Sequence, residues 1–308
     1  MLDGELVAVT GAYGYTGKYI ARRLLSMGKK VITITGHPRR ESPFGDQVKA
    51  FPLNFDEPRE LREALLGATT LYNTYWVRFP RGEVSFDRVV ENTKTLVRAA
   101  EEAGVRRLVH ISIANPSEDS PLPYFRGKAQ VEKIIARSKL SHAILRPTVI
   151  FGVEDILVNN IAWLLKRFPF FAIPGRGGCR LQPVYVEDVA EMAVRAGQQE
   201  ENLVLDAAGP EVYTFAGLVR LIAQKVHSKA RLLHVPPGLA LPLARLVGYL
   251  VKDVVLTRDE ILGLMSDLLI SSAPPLGETR FSQWLEENAA TVGTRYASEL
   301  SRHYGRGA

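Results

Sequence analysis

The sequence predicts an α/β protein: a doubly wound parallel sheet with a smaller, mostly helical C-terminal region. Three observations carry that expectation. Short apolar strands alternate with helical stretches as far as Pro147. The strands are apolar almost throughout, as befits strands covered on both faces rather than one. The alternation then breaks after Gly152, where longer helical and Gly/Pro-rich stretches take over.

In chain order, "LVAVT" (6–10) is the first strand, and "GAYGYTG" leads from it into the helical pattern "KYIARRLLSMG". Ile20, Leu24 and Leu25 form the inner stripe of that helix and Gly28 closes it. "KVITIT" (30–35) and "VKAFPLN" (48–54) read as strands, and "PRELREALLG" (58–67) as a helix. "TTLYNTYW" (69–76) is strand-like and ends in a polar and aromatic cluster. A long helix over 86–103 precedes the strand "RRLVHIS" (106–112). "PLPYFRGKAQ" (121–130) opens a helix running to about Ser138, and "SHAILRP" (141–147) is the next strand. Helices and strands in this order, joined by right-handed crossovers, place ligands outside the carboxyl ends of the strands.

Beyond Gly152 come the helix "ILVNNIAWLLKRF", the loop "IPGRGG", and "PVYVEDVAEMAVRAG" (183–197), which returns to the sheet layer. From about residue 209 the pattern is mostly helical. Residues 1–152 and 184–208 are therefore expected to form a ligand-binding sheet domain. Residues 153–183 and 209–308 are expected to form a substrate-binding region, with 235–256 and "IAWLLKRFPFFAIP" shaping a hydrophobic cleft.

Composition narrows the function classes. The chain has 308 residues and a formal net charge of +6, with 39 basic and 33 acidic side chains. The basic residues are scattered, without the concentrated basic face and interleaved aromatics of a nucleic-acid binder, so no nucleic-acid partner is expected. The one cysteine, Cys179, excludes an internal disulfide framework and fits a reducing compartment. An apolar strand begins near Leu6, so no secretory peptide is expected ahead of the fold. "VPPGLALPLARLVGYLV" (235–251) is interrupted by prolines and Arg245 and falls short of a membrane span, reading instead as a surface-lying or substrate-covering helix. Cytoplasmic localisation is expected, with attachment to a membrane periphery or a larger complex as the open alternative. The histidines show no metal-ligand spacing, so no metal is expected.

Gly11, Gly14 and Gly17 form GxxGxxG between the first strand and first helix. Glycines there permit a tight turn, close backbone approach to a pyrophosphate, and close helix–strand packing, while the helix N-terminus faces the anion. The pattern in this strand–turn–helix context predicts a Rossmann dinucleotide site, with Tyr13, Tyr15 and Thr16 as further loop contacts. A carboxylate at the end of the second strand would accept an adenosine 2′-hydroxyl. Here the chain reads Thr35-Gly-His-Pro-Arg-Arg40, with no acid before Glu41. His37, Arg39 and Arg40 suit a 2′-phosphate, so NADP(H) is expected over NAD(H).

"TGAYGYTG", "YFRGK" and "ILRPTVIFG" together resemble the extended short-chain dehydrogenase/reductase family over the first 200 residues or so. "YNTYWVRF", "YFRGKAQVE" and "LQPVYVEDVA" resemble more closely its atypical branch, which holds the NADPH-binding accessory subunit of respiratory complex I and epimerase/dehydratase-like proteins. By resemblance, the glycine loop binds pyrophosphate, Tyr124 and Lys128 carry the chemistry, and Pro147, Thr148 and Val149 lie beside the nicotinamide. The ends of the third and fourth strands imply further cofactor contacts at Asn54, Phe55, Asn73, Thr74 and Tyr75. On a helix Tyr124 and Lys128 share one face. An adjacent ammonium would lower the tyrosine's ordinary pKa of about 10 and fit it to exchange a proton with a substrate hydroxyl.

The sequence departs from that pattern in places. The family's carbonyl-polarising serine is not matched: Ser112 falls a position early, and Ile113 and Ala114 stand at the expected sites. Val89 stands where asparagine is usual, with Asn92 a turn later, and Asn54 replaces an aspartate. Oxyanion stabilisation then comes from Ser112, Asn115, Ser117 or water, or is absent. Arg78, Arg81, Arg88, Trp76 and Arg180 are secondary candidates for substrate contact. The leading expectation is an NADP(H)-dependent oxidoreductase acting on a secondary alcohol or carbonyl of a small molecule, hydrophobic or nucleotide-linked. The alternative is a non-catalytic NADPH-binding assembly element. The intact Tyr–Lys pair favours the first and the missing serine the second.

Overall fold

The computed structural model describes residues 4–304. The chain divides into two compact units. One runs as far as Pro147 and resumes over Val186–Ala207; the other takes Thr148–Tyr185 and the described chain from Ala208 onward.

The first unit opens with β1 (Leu6–Thr10), α1 (Tyr15–Ser26), β2 (Lys30–Thr35), β3 (Val48–Pro52), α2 (Pro58–Leu65), β4 (Thr70–Asn73), α3 (Phe86–Glu102), β5 (Arg107–Ile111), α4 (Pro123–Ala136) and β6 (Ser141–Pro147). The second unit then contributes β7 (Val149–Phe151), α5 (Leu157–Arg167), β8 (Phe170–Pro174), β9 (Arg180–Leu181) and β10 (Pro183–Tyr185). The chain returns to the first unit for α6 (Val186–Gly197) and β11 (Leu203–Ala207). It finishes in the second with β12 (Tyr213–Thr214), α7 (Phe215–Lys225), β13 (Arg231–Val235), α8 (Pro237–Val251), α9 (Arg258–Met265), α10 (Phe281–Asn288) and α11 (Glu299–Tyr304).

Seven parallel strands form the sheet of the first unit, in the order β11-β6-β5-β4-β1-β2-β3. The order reverses between β1 and β4, so the crevice at their carboxyl ends is the fold's switch point. Val7 pairs with Val31 and Thr70, and Ala8 with Ile32 and Leu71, a central register in which every side chain but Lys30 and Leu6 is buried. α2, α3 and α4 cover one face through Leu61, Leu65, Leu96, Val97, Val131 and Ile135. Each recurs at helical spacing, and each is worth roughly 1.5–3 kcal/mol on full burial. α6 packs against α1, with Arg23 bonded to Glu191 at 2.7 Å. α1 ends as its sequence dictates: Gly28, at φ +75°, donates to Leu25 O, and Lys29 N reaches back to Leu24 O. That pairing of the last carbonyls needs a left-handed residue, which glycine supplies without strain.

The second unit carries three two-stranded sheets, β7–β10 and β8–β13 parallel and β9–β12 antiparallel. α5, α7 and α10 surround a core of Phe151, Ile161, Leu218, Ile222, Phe281 and Trp284. Among the described residues no helix is long and apolar enough to cross a membrane.

Candidate functional site

The candidate residues of the first unit lie at or beyond the carboxyl ends of strands, where a parallel sheet presents loops to a ligand, with Asn73 the last residue of β4 and Pro147 the last of β6. The glycine loop follows β1. Gly11 takes φ +66°, and its N–H donates to Ile34 O at 2.9 Å, tying the turn to β2. A Cβ on Gly17 would lie 2.4 Å from Gly11 O, and one on Gly14 would lie 3.1 Å from it. The loop is therefore folded against the first turn of α1 as only glycine allows. No side chain caps α1, and no acid stands in its first turn. Its first N–H groups and positive dipole end suit an anion. Tyr15 and Thr16 open the helix, and Tyr13 turns the other way, its hydroxyl donating to Val48 O at 3.3 Å.

After β4 the polar residues tie the loops together. Asn73 is buried; its Oδ1 accepts from Thr10 Oγ1 at 3.1 Å and from Tyr75 N at 3.0 Å. Thr74 donates from N to Thr10 Oγ1 and from Oγ1 to Thr10 O. Tyr75 stacks obliquely on Phe55 and accepts from Asn92 Nδ2 at 2.9 Å. Asn92 thus serves Tyr75, and Val89 is core. Asn73 Nδ2 lies 3.2 Å from His110 Nδ1. An amide NH₂ only donates, so His110 carries its proton on Nε2, a buried atom with no hydrogen-bond partner among the described residues. Burial first and the nearby Lys128 second hold His110 well below the usual histidine range, so it is neutral.

Pro123 is the first residue of α4 and fixes where the helix begins, which puts Tyr124 in its first turn and Lys128 one turn on. The Tyr124 ring packs edge-on against Trp76, Phe86 and Phe125 at 5.6–5.8 Å. Lys128 is buried; its Nζ donates to Ile111 O at 2.9 Å and sits 4.5 Å from the Trp76 ring centroid. Gly127 makes that approach possible, since a Cβ there would lie 2.9 Å from Trp76 Cη2. Burial pulls the Lys128 pKa down to about 7 against the opposing pull of Glu132. Trp76 Nε1 is a second buried donor with no hydrogen-bond partner among the described residues.

Ser112 does not face this cluster as a free hydroxyl. It is buried and donates to Glu132 Oε1 at 2.5 Å. Glu132 also receives Arg146, whose Nη2 lies 2.5 Å from Oε2, and this pairing raises the Arg146 pKa. Ala114 is buried, its N–H donating to Pro147 O at 2.8 Å.

Other candidates stand apart. His37 N bonds Thr35 Oγ1, and His37, Arg39 and Arg40 are exposed on the turn after β2. Asn54 Oδ1 accepts from Asp56 N and shapes its own loop. Thr148 and Val149 belong to the second unit, where the buried Thr148 hydroxyl donates to Gln182 O. Arg88 pairs with Asp56 and Arg180 with Asp267, and Arg81 bonds Val84 through backbone. Among the described residues no three His, Cys, Asp or Glu side chains converge as a metal site.

The loop a Cβ would fill and the two orphaned buried donors fit a dinucleotide rich in acceptor atoms. Residues 11–155 match the family model described as NAD(P)H-binding. Residues 11–155 thus carry an NAD(P)H-binding domain. Its relatives include the mitochondrial NADH dehydrogenase (ubiquinone) 1 alpha subcomplex subunit 9 of Arabidopsis thaliana, 26% identical over 88% of this chain and 72% of that protein. Its fold matches the UDP-glucose 4-epimerase of Thermotoga maritima with a TM-score of 0.68 at 14% identity, over 93% of this chain and 98% of the other. The triphenylmethane reductase of Citrobacter sp., solved with NADP(H), matches with a TM-score of 0.63 at 19% identity, over 97% and 95%. The NAD(P)H-binding domain thus shares its fold with epimerases and reductases.

Sequence reasoning missed Trp76 as the cover of Lys128, Glu132 as the partner of Ser112, and His110 as a neutral neighbour. Glu132 was within reach of a helical-face argument, standing four residues beyond Lys128. His110 and Trp76 depend on how separate strands line up, which no local pattern reports.

Proposed function

We propose that this protein binds NADP(H) and holds it as a structural ligand, serving as a cofactor-loaded component of a larger assembly. The observation that carries this reading is the commitment of Ser112 to Glu132. The side chain nearest the family's carbonyl-polarising position is already bonded within the core, and Ala114 beside it has nothing to offer a substrate. The resemblance to NADH dehydrogenase subunits supports the same reading. Gly11, Gly14 and Gly17 hold the pyrophosphate at the start of α1. Lys128, Trp76 and His110 supply donors on the nicotinamide side. Arg39 and Arg40 meet the 2′-phosphate, there being no acid in their turn to prefer a free hydroxyl.

A second reading is favoured by one specific feature. Tyr124 and Lys128 share a face of α4, which suits an NADP(H)-dependent oxidoreductase with Tyr124 as acid/base toward a secondary alcohol or carbonyl. NADPH would supply the hydride in that case.

Fluorescence titration with NADPH and NADH, followed by NADPH oxidation against ketones, quinones and sugar nucleotides, separates the readings. The structural-ligand reading expects tight NADPH binding, at least about tenfold weaker binding of NADPH by Arg39→Glu/Arg40→Glu, and no oxidation. Turnover that Tyr124→Phe abolishes would establish the oxidoreductase. Equal affinity for NADH and NADPH would remove the role given to the arginines.

A further inference from the structure

The stretch from Lys229 to Arg258, in the second unit, combines two surface properties that a water-facing helix does not need. On α8, Leu239, Leu243, Leu246 and Leu250 recur every three or four residues and form one stripe along the helix. The stripe faces solvent: Leu239 is 53% exposed, Leu246 61% and Leu250 62%, with Tyr249 at its flank 84% exposed. The opposite side of the helix is the side the unit holds. Gly248 is buried there, where a Cβ would lie 2.6 Å from Asp253 O, and α8 packs against β8. An apolar stripe of this length on a water-facing helix marks an interaction surface.

The charges around it identify the occupant. Lys229, Arg231, Arg245, Lys252 and Arg258 are all exposed. The one acid in the same stretch, Asp253, is buried, its carboxylate accepting from the backbone N–H groups of Val254, Glu299 and Leu300. A surface both apolar and cationic, without an exposed acid between Lys229 and Arg258, is complementary to an anionic bilayer, whose phosphates meet the cations while the acyl boundary receives the leucines. A second copy of the same face is a poor partner, because two-fold pairing would set cations against cations. Crossing the bilayer is excluded by length, with Pro242 inside the helix and Arg245 near its middle.

We propose that α8 docks this protein on an anionic membrane surface, lying in the headgroup plane with Leu239, Leu243, Leu246 and Leu250 inserted and Arg245 and Lys252 against phosphate. The inference stands apart from the cofactor reading, since it concerns a different unit and needs no nucleotide.

The test is flotation of the full-length protein with vesicles of phosphatidylcholine containing about one third phosphatidylglycerol, against vesicles of phosphatidylcholine alone. The wild type is expected to float with the anionic vesicles and to be released by salt. Leu246→Ser/Leu250→Ser should cut vesicle partitioning about tenfold or more, and Arg245→Glu several-fold, with a weaker salt dependence. Circular dichroism and thermal melting confirm that each variant is folded, since the altered side chains are exposed. The proposal is overturned if the wild type stays unbound with anionic vesicles, or if the folded double variant floats as well as wild type. It is equally overturned if light scattering finds a wild-type oligomer that the double variant dissolves without any vesicle binding, because the stripe then belongs to a protein partner.

Discussion

Lys128→Met separates binding from stability in one side chain. In the folded protein the ammonium is 2% exposed, has Ile111 O as its hydrogen-bond acceptor, and lies against the Trp76 ring. Burial lowers its pKa from 10.5 to about 7. At about 1.4 kcal/mol per pH unit, that lowering corresponds to a penalty on the order of 5 kcal/mol, borne fully below pH 7. The sign follows from proton counts. Between about pH 7 and 10.5 the unfolded chain holds a proton the folded chain has shed, so stability rises with pH across that window. Above 10.5 both states are neutral and the penalty vanishes. Methionine keeps the aliphatic stem and removes the charge. Urea unfolding without nucleotide, at pH steps from 6 to 10, should therefore show the variant more stable than wild type near neutrality. The gap should hold below pH 7 and close by about 1.4 kcal/mol per pH unit above it. The same variant should bind NADPH at least about tenfold more weakly, the loss of one charge-assisted hydrogen bond. A gap that stays constant from pH 6 to 10, or that widens, would refute the argument that an isolated buried ammonium dominates this site.

Two further substitutions probe the surroundings. Gly17→Ala places its Cβ 2.4 Å from Gly11 O; because both partners are backbone, NADPH binding should be lost and stability should fall by roughly 1–3 kcal/mol, read by titration and urea melts. Ser112→Ala removes the hydroxyl bonded to Glu132 while leaving the Arg146 pair, and should cost roughly 1 kcal/mol of stability without changing NADPH affinity. A change in affinity with unchanged stability would instead place Ser112 among the cofactor's contacts.

The strands at 6–10, 30–35 and 141–147 are where apolar run length alone places them, because strands buried on both faces leave little choice of residue. The stretch 69–76 shows the limit. It reads as strand through Trp76, yet β4 stops at Asn73, whose Oδ1 draws Tyr75 N into a turn. Asparagine's local bonding decides that end, and the apolar pattern cannot see it. The loop glycines announce themselves because their spacing is itself the geometric requirement. The environment of Lys128 does not, since Trp76, His110 and Ile111 arrive from two different strand ends. Likewise "HISIANPS" shows that a serine is present, whereas only the packing of α4 shows that Glu132 has claimed it.

β11 lies at the edge of the main sheet, beside β6, and joins it only after the chain has passed through Thr148–Tyr185. α6, which packs on α1, is delivered by the same return. A fragment ending near residue 155, where the NAD(P)H-binding match ends, would contain the whole glycine loop and still lack one wall of its sheet. It would leave the unpaired N–H and C=O groups of β6 as a template for aggregation and uncover the inner face of α1. The cofactor loop is thus encoded at the start of the chain but sealed by residues synthesised much later. A minimal nucleotide-binding piece of this protein must carry Val186–Ala207 spliced behind Pro147, with the intervening excursion replaced by a short linker.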